Sequence, residues 1–183
     1  MSSLSGVVAA IRESTSPADM RTRVIAVDGP GGAGKSTLAA FLARELDAVV
    51  VSTDDFASWD NPIDWWPELI NKVLAPLAAG RKARYTPTSW GGPPKSDVVI
   101  EPRGTVVLEG VSASREAFRP YLAYSIWIET PRELRLRRGL TRDGEDARDD
   151  WERWMAEEDA YVEREQPAEH VDVVLPGDAD LWA

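Results

Sequence analysis

The residues with the clearest chemistry lie in Val27–Thr37, VDGPGGAGKST. Gly29-Pro30-Gly31-Gly32-Ala33-Gly34-Lys35-Ser36 fits the pattern G-x-x-x-x-G-K-[ST]. Glycines at this spacing let the backbone curl, so that successive N–H groups face a common point and hold phosphate oxygens. A helix starting near Ser36 and Thr37 would aim its positive end at the same point. Lys35 adds a mobile full charge for β- and γ-phosphates. The Ser36 hydroxyl suits Mg²⁺, which takes oxygen ligands. The loop therefore implies a bound nucleotide phosphate with Mg²⁺.

A phosphate loop alone does not say what is done with the phosphate. The only Asn-Lys pair, Asn71-Lys72, is followed by Val-Leu and does not make a guanine-reading motif. The apolar run TVVLEG ends in Glu109-Gly110 rather than in the Asp or Asp-Glu usual in motor ATPases. Another run, AVVVSTDDF, ends in Asp54-Asp55-Phe56. In a doubly wound sheet the C-terminal strand ends face the ligand crevice. A carboxylate there can orient a hydroxyl and take its proton as it attacks the γ-phosphorus. Asp54 is the candidate base. Glu109 is a candidate to hold the metal through water. Arg132, Arg135, Arg137, Arg138 and Arg142 crowd into one short stretch of a chain whose net charge is −10. Arg135, Arg138 and Arg142 share a helical face and could close over a triphosphate.

Positioning these groups requires strands alternating with helices. RVIAVDG (23–29) reads as a buried strand, followed by a helix over 36–46. A second strand covers 48–56, and a helix covers 67–79 with Gly80 as its stop. Residues 84–104, around TPTSWGGPPKS, read as a long loop or irregular hairpin with a strand at 98–100. Strands at 105–110, 124–128 and 171–175 and helices at 131–141 and 149–164 complete the chain. A helix over 4–13 precedes them. The strands are too apolar for one exposed face, so the expectation is a parallel sheet covered on both sides.

With 183 residues, 43% hydrophobic and 28% charged, the chain reads as a single globular domain. It has no cysteine, which excludes disulfides and Cys-based zinc sites. The acidic balance argues against a protein that lives on nucleic acid or anionic membranes. No apolar run reaches the length of a membrane span, and the N-terminus does not read as a signal peptide. A cytoplasmic protein acting on a small molecule is expected. Its oligomeric state is not legible.

The pieces DGPGGAGKST, STDDF, VVLEG and RLRRGLTRD resemble, in order and interval, the uridine kinase/phosphoribulokinase-like group of P-loop kinases. The segment Asn61–Gly80 is similar to that group's Pro-Asp turn and following helix. The resemblance implies an α/β P-loop NTPase fold with a five-stranded parallel sheet in the order 2-3-1-4-5. It implies Asp54 as base, Lys35 and Ser36 serving ATP·Mg, Glu109 assisting at the metal, and Arg138 and Arg142 in a lid over 132–148. Residues 1–22 would be an N-terminal extension, and 84–104 the acceptor side. Asp55, Phe56, Trp65, Arg84, Tyr85 and Trp90 are the acceptor-side candidates. Aromatic faces among Trp59, Trp65, Trp66 and Trp90 could stack on a flat base, although Trp65 or Trp66 is expected to pack. The chain departs from the uridine-type pattern in three places. Thr86 stands at an Asp position, no histidine lies near, and Gly139 replaces a common lid arginine. Two alternatives stand beside this reading: a nucleoside monophosphate kinase, for whose acceptor phosphate Arg81, Lys82, Arg84 and Lys95 could supply contacts, and an ATP-binding regulatory module without transfer activity, which would need no base such as Asp54.

Overall fold

The computed structural model describes residues 3–17, 20–58, 61, 64–89 and 92–178. Strand β1 (Thr22–Asp28) runs up the middle of a five-stranded parallel sheet with β2 (Ala48–Ser52), β5 (Gly104–Glu109), β6 (Tyr124–Glu129) and β7 (Val173–Pro176). The spatial order is β2-β5-β1-β6-β7. Counted over the parallel strands alone this is the expected 2-3-1-4-5. The register brings Val27 beside Glu109 on one flank and beside Ile126 on the other.

Alternation along β1 divides the core. Ile25 and Val27 face α1 (Leu4–Glu13) and α2 (Lys35–Leu46), packing with Val8, Ile11, Leu38, Leu42, Val107 and Ile126. Val24 and Ala26 face the other way, into a cluster with Val106, Leu108, Leu69, Leu74, Leu77 and Phe118. Successive strand residues point to opposite faces, so a run apolar at every position must be covered twice.

The expected helix over 67–79 forms in three pieces: α3 (Trp66–Leu69), a π-helical turn (Ile70–Leu74) and α4 (Ala75–Ala78). The widened turn lies directly ahead of Pro76, whose ring would clash with a carbonyl of a regular α-helix. Gly80, with φ +66, ends the helix. Its N–H bonds the Leu77 carbonyl and that of Arg81 bonds the Pro76 carbonyl, the paired closure of a Schellman end.

The segment expected on the acceptor side carries two paired strands. Strand β3 (Ala83–Tyr85) pairs antiparallel with β4 (Val98–Ile100), Tyr85 opposite Val98. After β6 come α5 (Arg132–Asp143) and the long α6 (Arg148–Glu165). Pro131 caps α5 rather than opening it. One strand is shorter than expected. β2 stops at Ser52, and Thr53–Asp55 form a 3₁₀ turn capped by the Ser52 side chain, which accepts from the Asp54 N–H at 3.3 Å. Asp54 and Asp55 therefore sit on a turn beyond the strand. Among the described residues no helix is long and apolar enough to cross a membrane.

Candidate active site

The chain passes from the buried end of β1 into the glycine loop and then into α2, whose first residue is Lys35. Gly32 has φ +75, and a Cβ there would lie 2.6 Å from the Arg135 carbonyl oxygen. Only glycine tolerates both the left-handed backbone and the close approach of α5. Lys35 is buried, and its ammonium donates to the Pro30 carbonyl at 2.8 Å, folding back across the loop. The Ser36 hydroxyl donates to Glu109 Oε2 at 3.3 Å.

A cavity of about 640 Å³ opens over this loop. Lys35, Ser36, Asp54, Glu109, Arg138 and Arg142 all line it, so residues scattered from 35 to 142 converge on one space. Gly31, Gly32, Gly34 and Thr37 contribute to the same wall. Gly29, Pro30 and Ala33 do not line it, and the Ala33 N–H bonds the Pro30 carbonyl at 3.1 Å. Parallel strands explain the convergence, since β2 and β5 both deliver their C-terminal ends to the edge where β1 releases the loop. Burial pushes the Glu109 carboxyl above its ordinary range. Neighbouring Asp54 pushes it the same way, while Ser52, Lys35 and Ser36 pull it down. A hydroxyl and a carboxylate this close fit Mg²⁺, which binds proteins through few ligands and completes its shell with water and phosphate.

The arginines divide by task. Arg138 Nη1 donates to the Gly32 carbonyl at 3.2 Å and Nη2 to the Gly177 carbonyl at 2.9 Å, clamping α5, the phosphate loop and the turn after β7. Arg142 is exposed and grips Asp143 through two bonds of 2.8 Å. Its guanidinium lies 5.4 Å over the Trp151 ring. Arg135, expected on the same open face, is instead buried and ion-paired with Glu158 at 3.3 Å. Helical spacing placed the three together, but α6 covers one flank of that face.

Trp151 and Trp154 supply the far wall, a feature the sequence pattern did not single out. The Trp151 indole lies on the bare backbone of Gly139, where a Cβ would fall 2.4 Å from the ring. This contact gives the glycine at 139 a physical reason, since any side chain there collides with the indole.

The acceptor-side expectations need correction. Phe56, Trp65 and Tyr85 do not line the cavity. They are buried in the core, with ring centroids 4.8 Å apart for Phe56–Tyr85 and 6.2 Å for Phe56–Trp65. Their apolar area is better removed from water where the hairpin meets α3. Asp55 ties down that hairpin, accepting from the Tyr85 hydroxyl at 3.0 Å with Lys95 at 3.5 Å. Burial and the Asp55 charge push the Tyr85 phenol upward. Arg84 is exposed and pairs with Asp97 at 3.1 Å, away from the cavity. Trp59 and Trp90 lie outside the described residues.

Asp28 escaped the sequence reading. Fully buried, it accepts from the N–H groups of Gly29, Ser112 and Ser114, the Ser114 hydroxyl and the Tyr161 hydroxyl. It pins the base of the phosphate loop to the turn after β5 and to α6. A carboxylate at the end of a strand otherwise buried was the available signal.

Residues 24–89 match the model of the AAA domain family. No curated protein matches the chain significantly. Among solved structures, a possible uridine kinase from Bacillus stearothermophilus is 18% identical with a TM-score of 0.68, over 94% of this chain and 96% of that one. A sugar kinase from Janibacter sp. HTCC2649 is 18% identical with a TM-score of 0.54, over 88% of this chain and 90% of that one. At such identities the likeness is one of fold. It agrees with the resemblance carried by the motifs: this chain has the α/β P-loop fold, built as it is in structures of uridine-kinase-like and sugar kinases.

Proposed function

We propose that the protein transfers the γ-phosphoryl group of ATP·Mg to a hydroxyl of a small, nucleoside-like metabolite. The observation that carries this reading is the shared cavity, where an exposed carboxylate, Asp54, stands across from the phosphate loop and its Lys35. A protein that only binds nucleotide needs no base for an acceptor hydroxyl.

In this scheme the loop N–H groups, Lys35 and the end of α2 hold the β- and γ-phosphates. Asp54 accepts a hydrogen bond from the acceptor hydroxyl, orients its oxygen in line with the γ-phosphorus and takes the proton as the bond forms. In a loose transition state that proton leaves late, so Asp54 works chiefly by orientation. Ser36 and Glu109 would hold Mg²⁺, which neutralises phosphate charge. Arg142 swings from Asp143 to the transferring group, and Arg138 keeps the lid against the loop.

A monophosphate as acceptor is the weaker reading. Lys82, Arg84 and Lys95 are engaged with Glu101, Asp97 and Asp55. None of them, nor Arg81, lines the cavity. The test is ADP release from Mg·ATP over panels of nucleosides, sugars, vitamin precursors and nucleoside monophosphates. Stimulation by an uncharged alcohol supports the proposal. Stimulation by monophosphates alone, or by no acceptor, refutes it.

A further inference from the structure

Glu158 is 1% exposed, deep in α6 and far in sequence from the phosphate loop. Its Oε1 accepts from the Gly31 N–H at 2.7 Å and from the Trp154 indole N–H at 2.6 Å. Its Oε2 faces Arg135 Nη1 at 3.3 Å, and Arg135 Nε is in turn anchored on the Thr130 carbonyl at 3.2 Å. One turn further along α6, the Tyr161 hydroxyl donates to Asp28 Oδ2 at 2.8 Å. Asp28 holds the base of the loop and Gly31 lies near its crest. A single helix face therefore grips the first half of the loop at two points, its base and Gly31.

We infer that Glu158 and Tyr161 are positioning residues that hold the phosphate loop in its anion-binding shape, so that nucleotide affinity depends on α6. Three features support a strut over a blocking group. Glu158 does not line the cavity, although Gly31, Trp151 and Trp154 do. Its carboxylate meets three donors from three different segments, an arrangement that fixes geometry. A buried carboxylate is costly, as the upward shift of its pKa reflects, and Lys35 and Arg135 offset part of that cost. The loop itself is short of internal constraint, because glycines supply its shape and lose most entropy on ordering. An external hydrogen bond at Gly31 removes that freedom before nucleotide arrives.

This inference rests on the functional reading only in needing a nucleotide ligand, so its test uses binding and no acceptor. Mg·ADP affinity is measured calorimetrically on the full chain for wild type, Glu158→Ala, Glu158→Gln and Tyr161→Phe, each beside its thermal midpoint. Glu158→Ala should weaken binding by roughly tenfold or more, the scale of one hydrogen bond to a charged group. In Glu158→Gln the amide oxygen can still accept from Gly31 and Trp154, while its NH₂ faces Arg135. This variant should keep affinity within about threefold of wild type although its midpoint falls with that of Glu158→Ala. A residue that served stability alone would move midpoints without this split. Tyr161→Phe should weaken binding about threefold or more. Wild-type affinity in Glu158→Ala, or tighter binding, overturns the inference, the latter by making the carboxylate a competitor of phosphate. Equal loss in the Gln and Ala variants also overturns it. Failure of wild type itself to bind Mg·ADP would count against the functional reading instead.

Discussion

Replacing Gly139 with alanine sets two effects of known size against each other. In an exposed helix interior, Gly→Ala stabilises by about 1 kcal/mol, because alanine has less backbone entropy to lose. Gly139 sits in the middle of α5, so propensity alone makes the substitution favourable. The structure predicts the opposite sign. A Cβ at 139 would stand 2.4, 2.5 and 2.7 Å from three atoms of the Trp151 indole. That ring is itself confined. It is buried, its Nε1 donates to Asp143 at 2.9 Å, and its far edge abuts Gly31 of the phosphate loop. Overpacking of this kind costs about 1–3 kcal/mol. After the propensity gain the net loss should be about 0–2 kcal/mol, with about 1 kcal/mol as the central expectation. Urea unfolding of wild type and Gly139→Ala measures it, and the same substitution in a Trp151→Leu background isolates the contact. With the indole gone, Gly139→Ala should become stabilising by about 1 kcal/mol, a coupling of about 2 kcal/mol across the cycle. Stabilisation by alanine in the wild-type background, or the same effect in both backgrounds, would refute the packing argument.

Lys35→Ala should abolish productive Mg·ATP binding, read by calorimetry, since the loop then loses its only full charge. Asp54→Asn should lower turnover by roughly a hundredfold or more with ATP affinity retained, and unchanged turnover would remove the base assignment. Arg142→Ala should reduce turnover more than ground-state ATP affinity, because its engagement with Asp143 must be exchanged for the transferring phosphoryl group. Glu109→Gln should cost activity yet improve stability as pH rises. In the folded protein this carboxyl's pKa is raised above the ordinary 4.5, chiefly by burial. The protonated form is therefore favoured by folding, and its contribution is present below that value and lost as pH rises through the folded one. The difference in thermal midpoint, variant minus wild type, should grow from pH 4 to pH 7, and a flat difference would contradict the burial argument.

Local chemistry was legible in the chain itself. GPGGAGKS declares a phosphate loop because its glycines and lysine act within a few residues of one another, and the apolar runs declare strands by composition. Asp54, Glu109, Arg138 and Arg142 could be placed on one edge because strand ends and helix faces follow simple periods, and they do line one cavity. Other features depended on what meets what across the fold. Pattern cannot tell a ring that lines a pocket from one that fills a core, and Phe56, Trp65 and Tyr85 proved to be core because the hairpin closes over them. Arg135 looked equivalent to Arg138 until α6 was laid against it. The gap at Gly139 acquired its reason only from an indole twelve residues on. Asp28 and Glu158 each take one partner from more than a hundred residues away, Tyr161 and Gly31 respectively. Periodicity reports which face of an element is apolar. It does not report which other element supplies the donors for a buried carboxylate, and in this protein that choice was made by the packing of α6 against the phosphate loop.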